Sequence, residues 1–76
     1  MEKVYFRDEY VTLNQFLKIA GIAYTGGEGK EMIQEGLIFV NGEQETRRGR
    51  KIRNGDEIKI SGFDTVYTAQ VEVSEE

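Results

Sequence analysis

The sequence predicts an α+β domain in which two helices pack on a small, mostly antiparallel sheet. Three observations carry that expectation. Two Thr-x-x-Gln/Glu patterns, Thr12 to Gln15 and Thr25 to Glu28, each stand at the head of a short segment suited to helix. Asn41-Gly42 divides a β-favouring run from a polar return, which is a strong hairpin signal. Beyond it, Glu57 to Ile60 and Thr65 to Val73 alternate polar and apolar residues with the period of a strand.

The N-terminal residues Val4 to Phe6 suit a short strand, and Arg7, Asp8 and Glu9 a polar connection. Thr12 and Gln15 then pair as a capping box, with Val11 and Phe16 spaced for a hydrophobic staple. Leu13, Phe16, Leu17 and Ala20 recur at helical spacing, so they face the core while Asn14, Gln15 and Lys18 face outward. Gly21 ends this helix as a left-handed cap.

Ile22, Ala23 and Tyr24 bridge to a second helix from about Gly26 to Glu35, whose strong core anchors are Met32 and Ile33 and whose C-terminal cap is Gly36. Thr25 and Glu28 form its capping pair. Gly26 and Gly27 occupy its first turn although glycine costs roughly 1 kcal/mol per residue in a helix interior. Two explanations stand side by side. Either the first helix packs tightly on this turn, or a phosphate approaches the free amides there.

Leu37 to Val40 forms a strand, Asn41-Gly42 its type I′ turn, and Glu43 to Thr46 a polar return at a sheet edge. Ile52 is an inward anchor, Asn54-Gly55-Asp56 makes a second turn, and Ile58 and Ile60 share a face of the next strand. After a turn at Ser61 to Asp64, the last strand places Tyr67, Ala69, Val71 and Val73 on one face, and Ser74-Glu75-Glu76 is a frayed acidic tail. No repeat, linker or low-complexity segment interrupts the chain, so residues 1–76 are expected to be a single domain.

Composition narrows the chemistry. The 76 residues contain no cysteine, so neither a disulfide nor a thiolate nucleophile is available, and no histidine, which removes the usual neutral-pH general base. We therefore expect no enzyme, cofactor, metal site or small-molecule substrate. No apolar run reaches membrane-span length and Met-Glu-Lys-Val-Tyr does not resemble a signal peptide, which points to the cytoplasm and to no membrane partner. A monomer is expected.

Charge is the informative feature. The net charge is -4, yet Arg47, Arg48, Arg50, Lys51 and Arg53 gather half of the 10 basic residues into an acid-free window. Within a Debye length, roughly 8 to 10 Å, such a patch governs a polyanion's approach more than net charge does. Guanidinium groups match phosphate oxygens bidentately, whereas the bland alternative is a solvated loop forming weak surface ion pairs. If the segment is extended, Arg48 and Arg50 project to one side and Lys51 and Arg53 to the other.

From Thr12 to Ile60 the order of residues resembles the ribosomal protein S-four domain, or alpha-L RNA-binding motif. The resemblance lies in Leu13 with Phe16-Leu17, Met32-Ile33-Gln34-Glu35-Gly36, Phe39-Val40-Asn41-Gly42 and Gly55-Asp56-Glu57-Ile58. Thr25-Gly-Gly-x-x-Lys30 and Arg47-Arg48-x-Arg50-Lys51 look most like its stand-alone bacterial YaaA and YbcJ type. The resemblance implies a bacterial, ribosome-associated module that binds structured RNA, most often ribosomal, through its two helices and the adjoining loop. It departs from many members in carrying Gly26, Gly27 and Glu28 where they have arginine, so the downstream basic segment carries more of the contact.

The expected RNA-binding residues are Arg47, Arg48, Arg50, Lys51 and Arg53, joined by Lys30, Thr25, Gly26, Gly27 and Lys18. Tyr24 is placed either to stack on an unpaired base or to pack between the helices. A rival expectation is a protein-interaction module that uses the acidic surface or the edge strand Glu43 to Thr46. Two look-alikes fail. Gly29-Lys30 lacks the first glycine and the following hydroxyl of a P-loop, and Glu28, Glu31 and Glu35 form a solvated stripe without flanking metal ligands.

Overall fold

Strand alternation and two amphipathic helices direct the apolar side chains into one core. The computed structural model describes residues 1–72, so Val73 and the expected tail at Ser74 to Glu76 lie outside the described residues. The elements run β1 (Glu2–Phe6), β2 (Tyr10–Thr12), α1 (Leu13–Ile19), α2 (Gly26–Gln34), β3 (Ile38–Val40), β4 (Glu43–Gln44), β5 (Lys51–Arg53), β6 (Glu57–Ile60) and β7 (Val66–Val71). Five strands form a sheet in the order β1-β7-β6-β3-β4, while β2 and β5 form a separate antiparallel ribbon.

The sheet is mixed. β1 pairs in parallel with β7, and the β7-β6, β6-β3 and β3-β4 pairs are antiparallel. The α+β expectation of two helices on a mostly antiparallel sheet therefore holds. Val40, Ile58 and Tyr67 stand opposite one another across three strands, and Ile38 opposes Ile60, which lays an apolar face beneath the helices.

Leu13, Phe16 and Leu17 from α1 meet Ile33 from α2 and Ile38, Val40 and Ile58 from the sheet, all fully buried. Burying each such side chain contributes roughly 1.5 to 3 kcal/mol, which suffices to hold helices too short to persist alone. α2 contributes Ile33 and the half-buried Met32 to this core. Its remaining packing comes from close backbone approach at Gly29, described below.

The hairpin turn is built as its residues predict, with positive φ at both Asn41 (52°) and Gly42 (86°). Asn41 does more than turn. Its amide donates to Asp56 Oδ1 at 3.1 Å and its carbonyl oxygen accepts the Glu57 N–H at 2.9 Å, tying this turn to the next.

Several elements differ from expectation. No strand is expected at Tyr10 to Thr12, where Val11 reads as a staple and Thr12 as a cap, but these residues form β2 and pair with Arg53, Ile52 and Lys51. β4 spans Glu43–Gln44 and stops short of Thr46, although Glu45 still donates its N–H to Ile38 O and buries its side chain. β7 ends at Val71 and begins at Val66, one residue later than the alternation suggested. Asn14, expected to face solvent, is half-buried against α2.

Candidate nucleic-acid interface

The basic segment is assembled around an acid. Glu45 donates its backbone N–H to Ile38 O at 2.9 Å, which anchors it beside β3, and its side chain is only 7% exposed. Arg47 donates to Glu45 Oε2 from both its backbone N–H (3.1 Å) and Nε (2.9 Å), and from Nη2 to Oε1 (3.1 Å). Arg50 Nη1 donates to the same Oε1 at 2.9 Å. The Arg47 guanidinium, aided by Arg50 and opposed by burial, lowers the Glu45 pKa from 4.5 to about 2. The carboxylate in turn raises the pKa of Arg47. Glu45 is therefore ionised across the physiological range.

This arrangement corrects two expectations. The window from Arg47 to Arg53 contains no acid in sequence, but Glu45 stands beneath it in space. Nor is its first half extended. Arg50 N–H donates to Arg47 O at 3.2 Å, closing a turn over Arg48 and Gly49, so strand alternation applies only from Lys51 to Arg53.

The turn then docks on the start of α1. Leu13 N–H donates to Arg50 O at 2.7 Å and Asn14 N–H to Arg48 O at 3.1 Å, so carbonyls of the basic turn satisfy two of the orphan amides of the helix. Thr12 and Gln15 complete the closure with a reciprocal capping box. Asn14 reaches onward to α2. Its Nδ2 lies 3.7 Å from where a Cβ on Gly26 would be, and its Oδ1 occupies the space that a Cβ on Gly29 would need. The close approach expected at Gly26 or Gly27 thus falls at Gly29, which is buried.

The start of α2 is built differently. Thr25 Oγ1 accepts the Glu28 N–H at 3.1 Å, but the Glu28 carboxylate reaches past Thr25 to accept the Tyr24 N–H at 2.8 Å. That departs from the reciprocal box the spacing suggested. Among the described hydrogen bonds none engages the N–H of Gly26 or Gly27, and no side chain crowds Gly27 beyond Thr25 itself. The carboxylate of Glu28 stands at the same end and favours the helix dipole.

Arg48, Lys18, Lys30 and Lys51 have no carboxylate within ion-pair distance among the described residues. Lys18 lies one helical turn beyond Asn14 on α1 and Lys30 one turn beyond Gly26 on α2, and both are exposed. Asn14 thus links the turn that contains Arg48 to Gly26 and Gly29 of α2.

Lys51 and Arg53 belong to the ribbon. They project from β5 on the side opposite buried Ile52, and both approach Tyr10, with Lys51 Nζ at 4.9 Å and Arg53 Cζ at 5.2 Å from the ring centroid. Arg53 also makes an exposed 3.4 Å pair with Glu9, a contact of small energetic weight. Tyr10 was not among the expected site residues. Its signal would have been the period-two match of Tyr10 and Thr12 with Lys51 and Arg53, visible only once the ribbon is paired.

Tyr24 is 85% exposed, so it does not pack between the helices. With Ile22, Glu28, Glu31, Met32 and Glu35 it lines a shallow acidic groove. The edge strand β4 offers little for strand addition, since it is two residues long and the Gln44 side chain folds back to Gly36 O. No helix among the described residues is long and apolar enough to cross a membrane.

A family model described as S4 domain matches residues 4–68 of the chain. The probable ribosome maturation protein RlbA of Bacillus subtilis (strain 168) is 46% identical over 55 residues, covering 72% of this chain and 78% of that relative.

Proposed function

This chain belongs to the S4 domain family, and from that premise we propose that it is a non-catalytic RNA-binding protein of ribosome biogenesis, acting in the cytoplasm as a monomer. Its ligand is structured ribosomal RNA. The grip is the basic turn Arg47 to Arg50 with Lys51 and Arg53, and the start of α2 with Thr25, Gly26, Gly27, Lys30 and the neighbouring Lys18 extends the surface.

The observation that carries this reading is Asn14. Its backbone N–H is bound by Arg48 O while its side chain lies against Gly26 and Gly29, so a single residue couples the cationic turn to the open start of α2. Cations and unpartnered amides on a rigid frame suit recognition of phosphates by shape. A-form RNA supports the same inference, because its deep major groove hides base edges and leaves backbone geometry as the main feature to read.

If three or four phosphates are engaged, log K should fall with log salt at a slope on the order of -2 to -4. Filter binding on purified ribosomal RNA measures this. Binding that does not change with salt would overturn the mechanism, and failure to bind ribosomal RNA would overturn the function.

A further inference from the structure

We infer that Glu45 is a positioning residue that holds Arg47 and Arg50 as one paired donor array for adjacent phosphates, an assignment that rests on the RNA-binding reading above. Its place is unexpected for a nucleic-acid site. A carboxylate at the centre of a cationic turn repels phosphate and cancels part of the field, so on charge alone the site would bind better without it.

The geometry supplies an opposite contribution. Both oxygens of the Glu45 carboxylate are used, one by Arg47 Nε and backbone N–H, the other by Arg47 Nη2 and Arg50 Nη1. Arg47 is nevertheless 76% exposed. Its guanidinium keeps Nη1 and the second Nη2 hydrogen for an external acceptor, and Arg50 keeps Nε and Nη2. Two long side chains, each rich in rotamers, are thus ordered before any RNA arrives, and the ordering entropy is removed from the binding step. The anchor is rigid because the Glu45 N–H is held by Ile38 O in the sheet and Arg50 O is held by the first amide of α1. Arg48, between them, has no carboxylate partner among the described residues.

The two contributions predict opposite signs, which makes the role testable. Glu45→Gln raises the net charge by one, so a purely electrostatic site would bind ribosomal RNA more tightly. Positioning predicts that Glu45→Gln binds on the order of tenfold more weakly at physiological salt. In an Arg47→Gln/Arg50→Gln background nothing remains to position, and the same substitution should instead leave affinity unchanged or raise it. A residue that only stabilised the fold would lower affinity in both backgrounds.

The assay is filter binding with purified small- and large-subunit ribosomal RNA, with folding checked by the amide spectrum of each variant. Wild-type protein that binds this RNA while Glu45→Gln binds equally or better overturns the positioning role and leaves the RNA-binding reading standing. Wild-type protein that fails to bind overturns both. A second measurement needs no variant: in the free protein the Arg47 Nε–H should exchange with solvent far more slowly than that of Arg48, and equal exchange would also overturn the assignment.

Discussion

The two helices begin with the same sequence pattern and end up with different tasks. At the start of α1, Thr12 and Gln15 satisfy each other's amides and the carbonyls of Arg48 and Arg50 take the next two, so no donor of that first turn faces solvent unpaired. At the start of α2, Thr25 holds the Glu28 amide, Glu28 is drawn back to Tyr24, and Gly26 and Gly27 carry no side chain to cover their amides. One start is a joint that fastens the basic turn to the core. The other is an open end. A capping pattern therefore identifies where a helix begins, but what else binds its amides is decided by which segment tertiary structure brings there.

The largest effect should come from breaking the contact that joins the two starts. Asn14 Oδ1 fills the position a Cβ on Gly29 would take, and Ala23 and the rest of the Asn14 amide leave little room around it. Gly29→Val should destabilise the protein by about 2 to 3 kcal/mol in urea unfolding, since the overpacking falls in a buried interhelical seam. Gly29→Ala gains helix propensity and so loses less. Adding Asn14→Ala should recover much of the Gly29→Ala loss, a non-additive result expected only if these two residues meet. Additive losses would show that the seam is held elsewhere.

The caps test the comparison more directly. Thr12→Ala removes a hydroxyl from a closed joint and should cost about 1 to 2 kcal/mol, whereas Thr25→Ala, at an open end, should cost about 0.5 to 1 kcal/mol. Both are read from the urea midpoint. Equal costs would mean that α2 is as firmly seated as α1, and the distinction between joint and open end would fall.

How much of this was legible in the sequence follows from the range of the interactions. Both helix starts, the Asn41-Gly42 turn and the shared face of Ile58 and Ile60 depend on neighbours within a few residues, and all were readable. The family resemblance also holds, over residues 4–68. By contrast β2 has three residues and finds its partner at Lys51–Arg53, so no local period announces it. Asn14 looked like a surface polar residue because nothing local says that Gly29 lies across from it. Glu45 was hidden for a related reason. It sits two residues before the arginines, in a segment that reads as a polar edge strand, and only the turn from Arg47 to Arg50 brings the guanidinium groups back onto it.

The smallest effect bears on whether the open end of α2 faces RNA at all. Glu28 places a negative charge beside the Gly26 and Gly27 amides, where it favours the helix dipole but opposes an approaching phosphate. Glu28→Gln keeps an oxygen able to accept the Tyr24 N–H and removes the charge. It should lower stability by about 0.3 to 1 kcal/mol while tightening ribosomal RNA binding by about two- to threefold. Glu31→Gln removes an equal charge beside Glu28 in the same Tyr24 groove but nearly one turn further from the Gly26 and Gly27 amides, and should tighten binding less. If the two substitutions act alike, the gain reflects net charge and the start of α2 stands away from the RNA. If only Glu28→Gln tightens binding, the half-capped end lies against the phosphates, and its glycines serve that contact rather than the packing, which Gly29 already supplies.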